Sequence, residues 1–252
     1  MQNRSAWFQD APLVIAHRGA SLLAPENTMA AFNLAVEVGA HAIELDVKLS
    51  RDGEVVIVHD STLDRTTDGT GTVRSHTVME LRALDAGSYF GESYMGERVP
   101  ILADVFDSLD GKILINVELT NYATPFDRLP EKVISQIVHR GIESDVLISS
   151  FNPVALIKSK RIDPDIPIGL LARGSTRLLI NRMMRSRIMY DCYHPAWEHI
   201  SQGLIEQERR MGKRVHVWTP NSPEEMINLV KAGVNGVITD DPSLARNVLE
   251  GL

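Results

Sequence analysis

Nine short runs rich in aliphatic and β-branched residues punctuate the chain: LVIA, AIELDVKL, EVVIV, ILINVEL, VLISSF, IPIGLL, MYDCY, RVHVWT and GVITD. Most are followed by a stretch with helical spacing. PENTMAAFNLAVEVG offers Asn27 or Thr28 as a cap, an apolar face of Phe32, Ala35 and Val36, and Gly39 as a stop. DRLPEKVISQIVHRG is amphipathic through Leu129, Val133 and Ile137, SPEEMINLVKAG carries a capping box in Ser222 and Glu225, and Asp241-Pro242 opens a last helix. Strands that alternate with helices demand an α/β fold, a parallel sheet with helices outside. Nine strands exceed an eight-stranded barrel by one. The turn SRDG accounts for the excess: Asp52-Gly53 favours a hairpin, so EVVIV returns beside the second strand and is not a stave. At 252 residues the chain has the length of one (β/α)8 TIM barrel, residues 1–252 as a single domain. An open doubly wound sheet is the competing arrangement, and no GxGxxG follows the first strand to support it.

Such a barrel delivers chemistry at the C-terminal ends of its strands. LVIA delivers His17 and Arg18, with Gly19 permitting a sharp exit. In AIELDVKL, strand period two puts Glu44 and Asp46 on one side. ILINVEL brings Glu118 to the same end as a third carboxylate, and three hard oxygen ligands suit Mg²⁺ or Ca²⁺. Pairing Ser50 with Gly53 in the hairpin would set Glu44 opposite His59. His17 and His59 are then core residues, metal ligands, or an acid and base pair able to move protons near neutral pH. Arg18 offers a planar fork for two phosphate oxygens, or an ion pair to one of the carboxylates.

The motifs HRGA, PENT, ELDV, DG, VVIVHD and LDRTTDGTG, in that order and at close spacing, resemble the glycerophosphodiester phosphodiesterase family over most of the chain. The resemblance implies cleavage of a small-molecule glycerophosphodiester to sn-glycerol 3-phosphate and a free alcohol with a divalent metal. It implies His17 and His59 as general acid and base, Glu44, Asp46 and Glu118 as metal ligands, and Arg18 as a phosphate contact. Asn27 would support the metal site by hydrogen bonding, or cap the following helix. Trp218 would pack against the glycerol part at the mouth, or lie in the core, and His216 on the same strand face reads as structural. One departure stands out: many members carry Lys two residues after the third carboxylate, where this chain has Thr120, which implies weaker or rearranged phosphate binding.

Residues 61 to about 110, rich in Gly, Ser and Thr, are too long for an ordinary loop and read as an insertion over the C-terminal mouth, with Tyr89, Phe90 and Tyr94 shaping the pocket. The family carries an insertion at this place. A net charge of -7 argues against nucleic acid as a partner. No apolar run approaches the roughly 18 residues of a membrane span, and MQNRSAWFQDAP lacks a signal-peptide core, so a cytoplasmic protein without stable membrane insertion is expected. The single Cys192 has no disulfide partner in the chain and no second thiol for a soft-metal site, and reads as a small buried side chain. The basic stretch 173–187 reads as a solvated outer helix, or as a cationic face for an anionic membrane. Two further functions compete with the hydrolase: cleavage of lysophospholipids, and a noncatalytic barrel that binds phosphodiesters. The intact His pair favours chemistry over mere binding. The released alcohol and the oligomeric state stay open at this level.

Overall fold

The computed structural model describes residues 6–173 and 190–252. Its strands are β1 (Leu13–Ala16), β2 (Ala42–Leu49), β3 (Val55–Ile57), β4 (Leu114–Leu119), β5 (Val146–Ser150), β6 (Ile168–Ala172), β7 (Cys192–Pro195), β8 (Arg214–Trp218) and β9 (Gly236–Thr239). β1 pairs in parallel with both β2 and β9, which closes eight parallel strands into a barrel. Among the named strands β3 pairs with β2 alone, antiparallel and outside the ring, as the hairpin turn required, and its other edge bridges to Ile101.

Alternation along each strand divides the polar site from the core. Ile43, Leu45 and Val47 of β2 and Val117 and Leu119 of β4 join Phe32, Phe106, Val133 and Ile137 of the outer helices in one buried cluster. Each such side chain contributes about 1.5–3 kcal/mol by leaving water. The residues between them, Glu44 and Asp46 on β2 and Asn116 on β4, are also buried and polar, with Glu118 beyond. In β1, Leu13 and Ile15 pack with Ile238 of β9 and Leu147 of β5, so the same parity carries His17 toward the barrel axis. Thr28 caps the helix Met29–Glu37 by accepting the Ala31 N–H, which leaves Asn27 free for another role.

The expected hairpin register is corrected. The observed register is Val47↔Ile57, Lys48↔Val56 and Leu49↔Val55, one residue away from a Ser50–Gly53 pairing. The Ser50 N–H donates to the Glu54 carbonyl at 2.9 Å, giving a three-residue loop with Gly53 in the left-handed region at φ 83. Glu44 is therefore not the cross-strand partner of His59, which lies on the loop after β3, although both side chains line one cavity. Cys192 is buried and free, as its lack of a second thiol suggested, and lies beside His194 and His216. These rings hydrogen-bond each other at 3.2 Å, and burial holds both neutral, His216 being pushed down to about 3. Trp7, from the turn Ala6–Phe8, packs with Leu13, Leu147 and Cys192 beneath them.

After β3 the chain runs through only short helices, Val73–Ser75, Val78–Ala83 and Glu92–Tyr94, before the helix Leu102–Leu109. This excursion has its own small core of Val56, Val58, Leu63, Val73, Leu81, Ala86 and Val99. Of the basic stretch 173–187, only Arg173 falls within the described residues. Among those residues no helix is long and apolar enough to cross a membrane.

Candidate active site

A cavity of about 300 Å³ opens at the C-terminal ends of the strands, with His17, Arg18, Glu44, His59, Glu118 and Trp218 in its wall. Asp46 and Asn27 are buried just behind it. Ligand atoms of Glu44, Asp46 and Glu118 lie within 4.8 Å of one another. The Asn27 side chain grips Asp46 twice: Nδ2 donates to Oδ2 at 2.9 Å, and Oδ1 accepts the Asp46 N–H at 3.2 Å. That grip fixes the Asp46 rotamer, and both Arg18 (φ 57) and Asn27 (φ 58) adopt left-handed backbone to build the loop around it. At Gly19, a Cβ would come within 2.7 Å of Ala31, so the loop closes on the helix only with glycine.

Three carboxylates held this close are unfavourable on their own. Burial, then the Asp46 charge, pushes the Glu118 carboxyl up to about 8, although the Tyr122 hydroxyl donates to it. Burial with Asp46 and Glu118 raises Glu44 well above the usual range. Glu44 Oε2 accepts the Arg18 N–H at 3.0 Å, but the buried Oε1 has no hydrogen-bond partner. An orphaned carboxylate oxygen facing two further carboxylates fits a hard divalent cation, Mg²⁺ or Ca²⁺, better than it fits an empty core.

A pH dependence follows. A carboxyl raised above its unfolded value stabilises the fold below about 4.5 and loses that contribution as pH climbs toward about 8. Metal-free protein is therefore expected to melt lower at pH 8 than at pH 6, and added Ca²⁺ to raise Tm more at pH 8. A calorimetric series in which the Ca²⁺ increment does not change with pH would contradict this. Asp60 and Asp240, both held down to about 2, act in the opposite sense, but their contribution is lost only well below pH 4 and lies outside that window.

Each histidine is backed by its own carboxylate. His17 Nδ1 bonds Asp240 Oδ1 at 2.6 Å, and Asp240 also accepts from the Ser21 hydroxyl at 3.0 Å and Asn221 Nδ2 at 2.6 Å. Burial opposes the charge on Asp240, and these donors, His17 first, outweigh it. His59 Nδ1 bonds Asp60 Oδ1 at 2.7 Å, with Arg65 Nε on Asp60 Oδ2 at 2.6 Å. In both rings Nε2 is left as the nitrogen available to a reacting oxygen.

Arg18 makes the ion pair that its sequence allowed, to Asp46 at 3.3 Å and to Glu26 at 2.8 Å, and also reaches the cavity wall. Trp218 is in the wall and not in the core, its Nε1 donating to the His194 carbonyl at 2.9 Å and its ring meeting Phe151 edge-on at 5.6 Å. The Arg173 guanidinium lies 5.5 Å from the Trp218 ring centroid. Tyr89 and Tyr94 act one layer back from the cavity: Tyr89 accepts the Glu26 N–H and Tyr94 donates to the Leu23 carbonyl, while Phe90 stacks edge-on against both rings. They hold the loop that carries Glu26.

At position 120 the hydroxyl donates to the Val47 carbonyl at 2.8 Å, so its one proton is already engaged within the protein. A cation reaches the same spot from the neighbouring strand. Lys48 Nζ donates to Thr120 Oγ1 at 2.6 Å and to its carbonyl at 3.1 Å, beside the charges of Asp46 and Glu118. Lys48 continues the Glu44, Asp46 period and was legible on that ground. Asp60, adjacent to His59, and Asp240, at the end of the last strand, carried similar signals, whereas Arg65, Glu26 and Tyr122 are brought in only by the fold.

A sequence model described as the Glycerophosphoryl diester phosphodiesterase family matches residues 17–244. A glycerophosphodiester phosphodiesterase from Caldanaerobacter subterraneus subsp. tengcongensis is 42% identical over 94% of this chain and 97% of its own. Among solved structures, a phosphodiesterase from Oleispira antarctica in complex with the product sn-glycerol-3-phosphate superposes with TM-score 0.83 at 31% identity, covering 95% of this chain and 97% of that one. A glycerophosphodiester phosphodiesterase from Agrobacterium tumefaciens gives TM-score 0.80 at 29% identity, covering 94% and 99%.

Proposed function

Because the chain belongs to the glycerophosphoryl diester phosphodiesterase family, we propose that it hydrolyses small glycerophosphodiesters to sn-glycerol 3-phosphate and an alcohol, with a divalent metal and a histidine acid and base pair. The observation that carries the reading is one cavity faced by two carboxylate-backed imidazoles and by a cluster of three carboxylates, Glu44 and Asp46 buried and Glu118 half-buried. The relative that holds sn-glycerol 3-phosphate supports the choice of product.

Glu44, Asp46 and Glu118 would hold the cation, as Mg²⁺ or Ca²⁺. When bound, such an ion offsets negative charge on phosphoryl oxygens as the phosphorus becomes five-coordinate. Arg18 binds a nonbridging phosphate oxygen, and Lys48 adds positive potential next to Thr120, where the resemblance placed a lysine. One imidazole Nε2 takes the proton of the attacking oxygen, from water or from the neighbouring glycerol hydroxyl; the hydroxyl would give a cyclic phosphate first, which water then opens to glycerol 3-phosphate. The other gives a proton to the departing alkoxide. Asp240 and Asp60 hold each ring in the tautomer this requires and stabilise it when it carries two protons. Trp218 offers an apolar wall for the glycerol carbons.

Purified protein supplied with Mg²⁺ or Ca²⁺ is expected to release glycerol 3-phosphate and alcohol in equal amounts from glycerophosphocholine or glycerophosphoethanolamine. Release from neither would overturn the substrate assignment, and choline with lysophosphatidic acid appearing only from lysophosphatidylcholine micelles would replace it with lysophospholipid cleavage.

A further inference from the structure

The two histidines are held differently, and the difference lies in one guanidinium. Asp240, behind His17, is fixed by neutral donors from Ser21 and Asn221. Asp60, behind His59, is fixed by Arg65, whose Nε donates to Oδ2 at 2.6 Å. The rest of the Arg65 fork turns to a second carboxylate: Nη1 and Nη2 donate to Glu26 Oε2 and Oε1 at 2.6 and 2.9 Å. Glu26 Oε1 also accepts Arg18 Nη1 at 2.8 Å, and Arg18 Nε lies 3.3 Å from Asp46. A continuous chain therefore runs His59, Asp60, Arg65, Glu26, Arg18, Asp46. His59 at one end and Arg18, the last member before Asp46, face the same cavity.

Resting on the function proposed above, we infer that Arg65 is a positioning residue that locks the proton-transferring His59 and the phosphate-binding Arg18 into one geometry. Arg65 belongs to the excursion after β3, whereas Arg18 and Glu26 follow β1; Tyr89 and Tyr94 also join the two segments, but they meet backbone atoms, and among the described residues Arg65 is the link that reaches both the Glu26 and the Asp60 carboxylates. Exposed ion pairs usually contribute only about 0–1 kcal/mol to stability, and Arg65 is 46% exposed. Its contribution is directional. A planar fork bonds a third nitrogen to Asp60 while it grips both oxygens of Glu26, which an ammonium cannot do. With Arg65 gone, Asp60 loses the donor that orients it toward His59, and Glu26 keeps only Arg18, which it no longer aims. Neither His59 nor Arg18 is touched directly, so the effect would be transmitted entirely through the two carboxylates.

The test uses Arg65→Lys and Arg65→Gln in the full-length protein, with metal present. Both are expected to keep the wild-type circular dichroism spectrum and a Tm near wild type. kcat should fall by roughly 10- to 100-fold, the range seen when an outer partner of a site residue is lost, and KM for glycerophosphocholine should rise. Lysine should not rescue. Combined with Asp60→Asn, the loss in kcat should be less than the product of the single losses, because both act on His59. An activity-independent reading comes from ¹⁵N spectra of the imidazoles: His59 should lose its single tautomer in Arg65→Lys while His17 keeps its own. Wild-type kinetics together with an unchanged His59 spectrum in Arg65→Lys would overturn the inference. An inactive wild type whose His59 spectrum still responds to Arg65→Lys would instead overturn the proposed reaction and leave the link standing.

Discussion

Removal of divalent metal with EDTA is expected to depress glycerol 3-phosphate release by about a thousandfold or more, and return of Mg²⁺ or Ca²⁺ to restore it. A thousandfold corresponds to about 4 kcal/mol of transition-state stabilisation, within the several kcal/mol that a Lewis-acidic ion supplies to a phosphoryl centre. The donor set decides which ions serve. Glu44, Asp46 and Glu118 contribute only oxygen, and the nearby imidazoles are engaged through Nδ1 by Asp240 and Asp60. Hard cations with oxygen preference should therefore reactivate best. Full turnover in EDTA would remove the metal from the reaction and leave the raised Glu44 and Glu118 without a purpose in catalysis. Reactivation by Zn²⁺ alone would point to an imidazole as a ligand.

His17→Ala and His59→Ala are each expected to reduce kcat by about 10²- to 10⁴-fold, the contribution of a positioned acid or base. The fold and metal affinity should survive, because neither ring is a core group: the side chains are 21% and 38% exposed. The double variant should lose little more than the worse single variant, since a proton taken without one returned does not complete the reaction. Rates would be read from glycerol 3-phosphate release, metal affinity from calorimetry and the fold from circular dichroism. Near-normal turnover from either single variant would break the pairing. Loss of metal along with activity would make the ring a ligand instead.

The barrel was legible because strand parity and helix periodicity leave few alternatives: the same period-two pattern that buries Ile43, Leu45 and Val47 gathers Glu44, Asp46 and Lys48. The hairpin strand was legible from Asp52-Gly53, but its register was not, because Gly53 closes a three-residue loop and nothing in SRDG distinguishes that from a two-residue turn. Asn27 looked equally suited to capping a helix and to supporting a metal ligand. The choice was made by Thr28, which takes the cap and frees Asn27 for Asp46. Thr120 looked like a lost charge because Lys48 lies 72 positions away in the chain and meets it only through the adjacency of β2 and β4. Arg65 and Glu26, 39 positions apart, were invisible for the same reason.

The small core of the excursion, Val56, Val58, Leu63, Val73, Leu81, Ala86 and Val99, is separate from the clusters that hold the barrel strands to their helices. His59, Asp60 and Arg65 hang on that small core, while His17, Asp240 and the carboxylates hang on the barrel. The candidate site thus draws on two hydrophobic clusters of unequal size, and the smaller is expected to open at a lower free energy than the larger. In mild denaturant the protein would then become an intact metal-binding barrel with half of its proton relay missing, so that inactivation precedes unfolding.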